Sequence, residues 1–292
     1  MSGQLIEQIV NGVILGAIYA LMGAGLTLIY GTMRVLNFAY GEFYMLGGYA
    51  FLLLTSGAET PWPLALVLAA ILVFAFAAVT AAGVVQPLLA RPGWDFSTIA
   101  ATLGISIAMQ NAALAIWGER FQSVPYMVDG TLEVAGLYIP YQRLLIVAAA
   151  AVLIAGTAAI LSFTRFGRAV RATAQDREAA RVLGVPADRT SILAFAFGSA
   201  LAALAGMILA PIYAVSPWMG VPLALKAFAV VVLGGLGSFR GAVVAGLLLG
   251  IVEAVGVALT SSEWREAIAF AVLIAVIWVR PWGLYGMERL VR

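Results

Sequence analysis

The feature that most constrains this chain is a series of long stretches without a charged side chain. About 20 apolar residues are needed for a helix to cross the roughly 30 Å of hydrocarbon in a bilayer. Only 10% of the 292 residues are charged and 63% are hydrophobic, too few polar side chains to cover a soluble protein. We therefore expect a polytopic membrane protein. The uncharged stretches are residues 8–33, 43–58, 60–90, 96–118, 144–164 and 190–225.

The apolar stretches lack the alternation of a transmembrane β-strand, so the predicted fold is all-α. Residues 43–58 are glycine-rich and are expected to form a short or broken helix. Near the C-terminus, residues 222–235 could extend only about 21 Å as a helix, which indicates a half-helix or a re-entrant element. With 241–262 and 267–279, the sequence predicts eight or nine transmembrane helices with broken or re-entrant segments. They are expected to form a single transmembrane domain, residues 1–292.

The arginines predict the orientation of the chain. If the polar loop 164–190 is cytoplasmic, alternation of the spans places 12 of the 16 lysine and arginine residues on that face. An excess of basic residues is typical of cytoplasmic loops, so we expect the N-terminus outside and the C-terminus in the cytoplasm. The start of the chain has no basic segment, so residues 8–33 are expected to remain as a helix. The residues on the basic face are Arg34, Arg91, Arg165, Arg168, Arg171, Arg177, Arg181, Arg189, Arg240, Arg280, Arg289 and Arg292.

Several function classes are excluded by composition. The chain has no cysteine and no histidine, so disulfides, thiol or imidazole catalysis and the usual zinc and haem sites are not possible. No segment matches the phosphate-binding pattern G-x-x-x-x-G-K-[ST], and the single lysine, Lys226, lies in an apolar stretch. We expect no enzymatic activity, no metal site and no cofactor in this chain. The net charge of +2 does not indicate a nucleic-acid partner.

The loop 164–190 is predicted to contain a short helix from Ala169 to Leu183, because this segment is rich in good helix formers. Glu178 and Arg181 can pair at i,i+3, and Gly184 provides a stop. A simple connection between two membrane helices needs only a few residues. The loop is therefore either a docking element or a basic segment that sets the topology.

Three ionisable residues lie in the apolar stretches: Glu42, Lys226 and Glu253. Each would cost roughly 2.5–3.5 kcal/mol at the bilayer centre, so we expect them to face the protein interior or a water-filled path. Glu42 could also reach the headgroups, and Lys226 could extend outward to the interface. For Glu253 we expect a buried partner, either Lys226 or a helix of another subunit. Gln110 and Asn111 are expected to make hydrogen bonds between helices.

Glycine motifs in both halves suggest two different roles. Gly12-x-x-x-Gly16 and Gly246-x-x-x-Gly250 are typical of faces where two helices pack closely. Residues 37–48 and 232–241 each combine a high glycine density with a neighbouring ionisable residue. Glycine-interrupted segments in the two halves of a transporter indicate its translocation pathway. We therefore expect these two segments to approach each other.

Several motifs, which follow one another in the expected order along the chain, resemble those of a permease subunit of the branched-chain (hydrophobic) amino acid ABC importer. The subunit is the first of the two permeases of that importer. The resemblance covers about residues 10–285. This family usually has histidine where Tyr40 stands, so no role for a titrating imidazole is carried over. The motifs are Gly25-Leu-Thr-Leu-Ile-Tyr-Gly31, Asn37-Phe-Ala-Tyr-Gly-Glu42-Phe, Leu46-Gly-Gly-Tyr49, Arg168-Ala-x-Arg171-Ala, Glu178-Ala-Ala-x-x-x-Gly184, Lys226-Ala-Phe and Val232-Leu-Gly-Gly-Leu-Gly-Ser238.

The resemblance implies a permease subunit in a prokaryotic inner membrane that imports branched-chain or other hydrophobic amino acids. It implies four partners besides membrane lipid: a second homologous permease, two ATP-binding subunits that hold ATP and magnesium, and an extracytoplasmic substrate-binding protein. Two alternatives stay open. One is a related permease for urea or short amides, and the other is a self-powered secondary transporter that uses Glu42 and Glu253 as a proton or ion site.

The resemblance also assigns roles to residues. In the family, the Glu-Ala-Ala signature marks a helix that sits in a groove of the ATPase. The loop 164–190 is therefore a predicted coupling loop, and its coupling residues are Arg171, Arg177, Glu178, Ala179, Ala180, Arg181 and Gly184. The predicted translocation pathway comprises Asn37, Tyr40, Gly41, Glu42, Gly234, Gly235, Gly237 and Ser238.

Overall fold

A computed structural model of the chain describes residues 2–91, 93–134 and 137–286. Most of these residues are helical. A π-helical segment, Leu53–Gly57, continues α2, and a second, Ala81–Val85, joins α3 to α4. The helices are α1 Ser2–Met33, α2 Tyr40–Leu52, α3 Trp62–Thr80, α4 Gln86–Leu89, α5 Trp94–Trp117, α6 Tyr141–Phe163, α7 Arg165–Gln175, α8 Arg177–Val182, α9 Ala187–Leu209, α10 Gly220–Gly234, α11 Phe239–Leu259 and α12 Arg265–Val279.

The predicted multi-pass helical fold is confirmed, with fewer long helices than expected. Within the described residues, six helical segments are long and apolar enough to cross a membrane. Three helices in other predicted spans are shorter: α2 has 13 residues, and α10 and α12 have 15 each. A 15-residue helix rises only about 22 Å, so the prediction of eight or nine spans is not confirmed. The six segments are Glu7–Met33, Trp62–Leu89, Trp94–Trp117, Tyr141–Phe163, Ala187–Leu209 and Phe239–Leu259.

One element was not predicted. Strand β1, Thr131–Val134, pairs antiparallel with strand β2, Leu137–Pro140. These strands have four residues each, and their β-branched and aromatic side chains are typical of strands. Runs of four residues give little sequence signal for a strand in a chain whose other elements are mostly helices. Of the arginines used for the orientation, Arg289 and Arg292 lie outside the described residues.

The chain divides into two compact units. We name Leu28–Pro125 with Ala155–Ala224 the central unit, and Met1–Thr27 with Tyr126–Ile154 and Leu225–Arg292 the terminal unit. The long helices α1 and α6 and the short helix α10 each contribute residues to both units.

In the central unit, α2 packs against α9 at a very close approach. Gly47 lies against the backbone of Ala203, and Gly206 lies against the backbone of Tyr44, with no room for a β-carbon. Beside this crossing, the rings of Phe43 and Phe195 meet edge to face at 5.8 Å. Helix α2 is short, as predicted, but it runs unbroken through its glycines. Those glycines permit helix contact rather than interrupting the helix.

In the terminal unit, the two predicted glycine packing faces meet each other. A β-carbon at Gly12 would lie 2.8 Å from the Cα of Ile251, and one at Gly16 would lie 2.9 Å from the Cα of Leu247. Gly246 and Gly250 face α1 in the same way. Small residues allow helix backbones to approach closely in a membrane. The prediction that these motifs are packing faces is therefore confirmed.

Candidate functional site

The loop 164–190 contains two short helices, α7 and α8, where the sequence predicted one continuous helix. The break lies at Asp176, whose backbone is extended at φ −151° and ψ 112°. The Asp176 carboxylate accepts hydrogen bonds from the amides of Glu178 and Ala179, both at 2.9 Å. Aspartate is a strong N-cap and a weak residue in a helix interior. This local capping bond, which the prediction overlooked, starts α8 as a separate helix.

Helix α8 ends at Val182, and Gly184 forms the turn that stops it, as the sequence predicted. Gly184 has φ +83°, in the left-handed region that glycine tolerates best. Its amide donates to the Arg181 carbonyl at 3.0 Å, and the Val185 amide donates to the Ala180 carbonyl at 2.9 Å. This pair of bonds is the Schellman motif, which satisfies the last carbonyls of a helix. The turn therefore fixes the direction in which the end of α8 points.

The end of α8 exposes two large apolar side chains. Val182 is 87% exposed and Leu183 is 82% exposed, and the preceding Ala179 is also exposed. We name these three residues the α8 tip. In contrast, Ala180 is buried. An apolar surface at the end of a short, firmly capped helix is suited to contact with another protein.

The two arginines of α8 contact the start of the next helix, α9. Arg177 and Arg181 both pair with Oδ1 of Asp188 at the start of α9, the former at 2.8 Å. The Gln86 side-chain amide donates to the same oxygen at 2.7 Å. The predicted pair of Glu178 with Arg181 is therefore wrong, because Asp188 takes the guanidinium. These contacts hold α8 against α9 and leave the α8 tip outside.

Arg171, another predicted coupling residue, contacts the end of α6. Its guanidinium donates to the Leu161 carbonyl. The hydroxyl of Thr164 accepts from the amide of Gly167 at 3.0 Å and caps α7. Gly167 lies against the Leu161 carbonyl with no space for a β-carbon. Arg171 thus positions α7 on the preceding helix.

Glu42 lies at the start of α2 and is only 1% exposed. Its Oε1 accepts hydrogen bonds from the Ser106 hydroxyl at 2.9 Å and from the Gln110 amide at 2.7 Å, both on α5. Among the described residues, no group reaches the buried Oε2. Glu42 therefore does not reach the headgroups, and it is held by neutral donors alone. The Gln110 bond joins two helices as predicted, whereas Asn111 donates within α5 to Ile107, so that prediction is wrong.

The predicted pathway residues beside Glu42 are packed against α9 and α10. Asn37 is fully buried just before α2, and its side-chain oxygen accepts from the Ala39 amide at 3.1 Å. The Tyr40 hydroxyl donates to the Gly198 carbonyl at 3.4 Å. Gly41 and Gly220 lie backbone against backbone without space for side chains. Irregular backbone at residues 35–39 is thus buried or half-buried within the central unit.

The second predicted pathway segment forms a tight turn between α10 and α11, in the terminal unit. Gly235 and Gly237 have φ +99° and φ +85°, conformations that other residues rarely adopt. Ser238 caps α11 by accepting from the Gly241 amide at 3.2 Å. The Gly234 carbonyl accepts from the Tyr285 amide at 3.0 Å. The prediction of a helix broken at these glycines is confirmed.

Lys226 and Glu253, predicted as buried polar residues, form an ion pair at 2.7 Å in the terminal unit. Lys226 is 4% exposed and Glu253 is fully buried. The carboxylate also accepts from the Tyr19 hydroxyl at 3.1 Å and lies 3.4 Å from a nitrogen of Arg265. A second carboxylate, Glu266, lies 3.2 Å from the lysine. Of the two partners expected for Glu253, Lys226 is confirmed.

Several residues that complete these sites were missed from the sequence. Asp188 follows Gly184, the stop of α8, by four residues. An acidic residue so soon after Arg177 and Arg181 was a usable signal for an ion pair. Ser106 lies four residues before Gln110, which the sequence did indicate, on the same face of α5. Tyr19 and Arg265 gave no signal, because their partners are distant in sequence. Across residues 2–91, 93–134 and 137–286, no group of three or more acidic side chains is placed to hold a metal ion.

Residues 8–277 match the family described as "Branched-chain amino acid transport system / permease component". The chain belongs to this family. It is similar to the high-affinity branched-chain amino acid transport system permease protein LivH of Escherichia coli K12, with 36% identity over 96% of this chain and 95% of LivH. It is 34% identical to the corresponding permease protein BraD of Pseudomonas aeruginosa, over 96% of this chain and 95% of BraD.

Two further similarities are a more distant sequence relative and a solved structure with the same fold. The probable branched-chain amino acid transport permease protein LivH of Methanocaldococcus jannaschii is 26% identical over 97% of this chain and 93% of its own length. The solved structure "PsaBC from Streptococcus pneumoniae in complex with Fab" shares the fold, with a TM-score of 0.51 and 10% identity over 98% of both chains. Members of this family are permease components of transport systems. The chain is accordingly a multi-pass membrane permease subunit and not an enzyme.

Proposed function

We propose that this chain is the translocation subunit of an ATP-driven importer for branched-chain or other hydrophobic amino acids in a prokaryotic inner membrane. The observation that carries the proposal is 36% identity over 96% of the chain to a permease named for high-affinity branched-chain amino acid transport. In this proposal residues 1–292 form one permease domain that crosses the membrane eight or nine times. The N-terminus is outside, and the C-terminus and the loop 164–190 are cytoplasmic.

The proposed partners are a second homologous permease, two ATP-binding subunits and an extracytoplasmic substrate-binding protein. ATP and magnesium are held by the ATP-binding subunits, because the chain contains no phosphate-binding loop. No nucleic acid takes part. Substrate affinity resides in the binding protein, since a pathway that held the substrate tightly would slow its release.

Coupling to the ATPase is proposed to pass through the α8 tip. Its exposed Val182 and Leu183 would enter a groove of an ATP-binding subunit, as the family resemblance implies. Arg177 and Arg181 would then transmit the displacement of α8 to α9 through Asp188. Two charged contacts on one carboxylate give a stiffer connection than a flexible loop would give. The predicted coupling residues thus divide into those that contact the partner and those that position α8.

The translocation pathway is proposed to include residues 37–42 and 234–238. Both segments contain backbone that leaves the helical conformation, which is tolerated at membrane depth only where protein or a cavity shields it. Because the chain has no cysteine, single cysteines at Phe38, Tyr40, Leu233 and Ser238 can be labelled without background. We expect labelling by a water-soluble thiol reagent to depend on ATP at one or more positions of each segment. Inert sites in every state would remove these residues from the pathway.

The substrate assignment is tested with the transporter purified with its partner subunits and reconstituted into vesicles. We expect uptake of radiolabelled leucine that requires ATP, the binding protein and an intact ATPase. ATP-dependent uptake of urea in place of leucine would favour the short-amide alternative. Leucine uptake by this permease without any ATPase, driven by an ion gradient, would favour a secondary transporter.

The coupling assignment is tested with Leu183→Asp and Glu178→Arg. We expect both variants to reach the membrane at normal levels and to lose most ATP-dependent uptake, because a changed charge at the α8 tip, or at Glu178 beside it, disturbs the fit of α8 in its groove. The matched control is Phe121→Asp, a comparably exposed apolar residue outside the loop 164–190. If uptake persists in both α8 variants, the loop only sets the topology.

A further inference from the structure

The central unit contains a cavity of about 810 Å³ behind the coupling helix α8. Its walls come from the end of α1, from α4, from the start of α5 and from α7, α8 and the first turn of α9. Sites that hold small molecules commonly enclose about 300–1,000 Å³. We name it the arginine cavity, after its lining residues Arg34, Arg177 and Arg181; Gln86, Trp94 and Thr173 also line it.

The charge of the lining favours an anion. Three guanidinium groups face two carboxylates, those of Glu178 and Asp188. Two of the guanidiniums already share the single oxygen Oδ1 of Asp188. Within the described residues, the third, Arg34, donates to the backbone carbonyl of Ala174 at 3.1 Å and pairs with no carboxylate. Guanidinium groups bind phosphate oxygens through paired, charge-assisted hydrogen bonds, and Arg34 has this capacity unused.

Buried polar atoms in the lining lack protein partners. Within the described part of the chain, no hydrogen-bonding group reaches Nε of Arg177, Oε1 of Gln86 or Oγ1 of Thr173. Thr173 is only 3% exposed. Nearly all buried polar atoms in folded proteins are hydrogen-bonded. These three atoms are buried in the cavity wall, so a ligand that supplies both acceptors and a donor would satisfy them once their side chains turn toward it.

The backbone at Arg34 supports the same conclusion. Arg34 adopts a left-handed conformation with φ +57°, which is unusual for a residue other than glycine. It directly follows the last residue of α1, so the strained conformation sets where the side chain leaves the helix. Strain of this kind persists where surrounding structure over-determines it and is concentrated at binding sites.

The surroundings of the cavity are those of a membrane interface. Trp94 lines the cavity at the start of the apolar helix α5, and Phe96 beside it is 78% exposed. Arg91 is exposed three residues before Trp94. Tryptophan is enriched where membrane helices meet the headgroups, and basic clusters at that depth attract anionic lipid.

We propose that the arginine cavity binds a phosphate group, supplied by the headgroup of an anionic phospholipid of the phosphatidylglycerol type. The phosphate oxygens accept hydrogen bonds from Arg34 and from Nε of Arg177. A glycerol hydroxyl donates to Oε1 of Gln86. A bound headgroup joins α1, α4 and α8, so it stabilises the base on which the α8 tip stands. Anionic lipid then supports coupling through a defined site rather than through general surface charge.

The test uses the transporter purified with its partner subunits in nanodiscs of phosphatidylcholine mixed with phosphatidylglycerol. Retained lipid is counted by native mass spectrometry after transfer to detergent. We expect Arg34→Gln to lower the affinity for phosphatidylglycerol about tenfold, and Arg34→Lys to lower it less, because lysine keeps the charge but not the paired donors. Thr173→Val, which preserves shape and charge, should lower it about threefold. The control Arg189→Gln removes an exposed arginine outside the cavity and should change nothing.

The two possible sources of phosphate are separated by soluble glycerol 3-phosphate. If the ligand is lipid, glycerol 3-phosphate will not raise the melting temperature of the transporter in pure phosphatidylcholine, whereas phosphatidylglycerol will. Stabilisation by glycerol 3-phosphate that Arg34→Gln abolishes would support the phosphate site and overturn the lipid source. Equal retention of phosphatidylglycerol by the unmodified transporter, Arg34→Gln and Thr173→Val would overturn the proposal entirely.

Discussion

Two carboxylates are buried in the apolar helices of this permease, and their surroundings differ. Glu253 in α11 lies 2.7 Å from the ammonium of Lys226 and also accepts from Tyr19. Glu42 in α2 receives only neutral donors, at 2.7 and 2.9 Å, and its second oxygen has no partner among the described residues. Burial is nearly complete for both, so the difference lies in the compensation of charge.

The Glu253 site is a satisfied ion-pair network. Lys226 pairs with Glu253 and with Glu266, and it lies 5.3 Å from the centre of the Tyr19 ring. Burying a charge is tolerated when its partners are close and hydrogen-bonded. The network connects the short helices α10 and α12 to α11, so its contribution is structural. Glu42 lacks such compensation, which is a reason to keep it among the proposed pathway residues.

The largest expected effect is the loss of one partner from the ion pair. Lys226→Leu should lower the free energy of unfolding by about 3–5 kcal/mol, because Glu253 is left buried without its closest cation. Glu253→Leu should also lower it, because Lys226 loses its buried partner and keeps the more exposed Glu266. The double variant should recover much of the loss, since neither charge remains. Thermal unfolding in detergent for all four proteins gives the coupling energy. Additive losses in the double variant would show that the pair does not act as a unit.

The same substitution, glutamate to glutamine, should lower the free energy of unfolding more at Glu253 than at Glu42. Glu253→Gln removes the charge that Lys226 needs, so we expect a loss of about 2 kcal/mol, less than for leucine because some hydrogen bonding remains. Glu42→Gln replaces a carboxyl group that no cation faces among the described residues with a neutral amide of similar shape, so the free energy of unfolding should change by less than about 1 kcal/mol. Uptake should nonetheless fall strongly in Glu42→Gln. Normal uptake at wild-type stability would make Glu42 a packing residue.

This difference could be only half predicted from the sequence. Charge spacing located both carboxylates in apolar stretches, and the proximity of Lys226 suggested a partner for Glu253. Nothing in the sequence placed Ser106 and Gln110 opposite Glu42, because that contact joins residues more than 60 positions apart and depends on how α5 packs on α2. Long apolar runs predict that helices exist, whereas neighbours across helices depend on packing.

In the loop 164–190, too, features set by neighbouring residues could be predicted and features set by packing could not. Gly184 ended α8 where its sequence context predicted, since a positive φ at the end of a helix favours glycine. Asp176 broke the predicted helix because its carboxylate caps the next one. The inward direction of Arg177 and Arg181 depended on Asp188, whose position beside α8 exists only after the chain turns into α9. A capping residue lies beside the helix end that it caps, whereas the acidic partner of Arg177 and Arg181 is set by the turn of the chain into α9.

Removing either neutral donor of Glu42 should lower the free energy of unfolding by a smaller amount. Gln110→Leu removes the shorter hydrogen bond and should cost about 1.5 kcal/mol of unfolding free energy, while Ser106→Ala should cost about 1 kcal/mol. Asn111→Leu is the control, because Asn111 is exposed and bonds only within its own helix. Chemical or thermal unfolding of the three variants measures the order. If Asn111→Leu costs as much as Gln110→Leu, the α5 contact with Glu42 contributes no specific stability.

The smallest expected effect concerns Arg265, the outermost partner of Glu253. Its side chain is 36% exposed and its nitrogen lies 3.4 Å from the carboxylate, so water and salt screen the interaction. Arg265→Gln should therefore cost about 0.5 kcal/mol or less, and that cost should shrink further as salt is added. Lys226→Leu should show little salt dependence, because its pair is buried. A loss in Arg265→Gln equal to that in Lys226→Leu would mean that the arginine, rather than the lysine, neutralises Glu253. The contrast with Glu42 would then rest on a cation at the edge of the network instead of one at its centre.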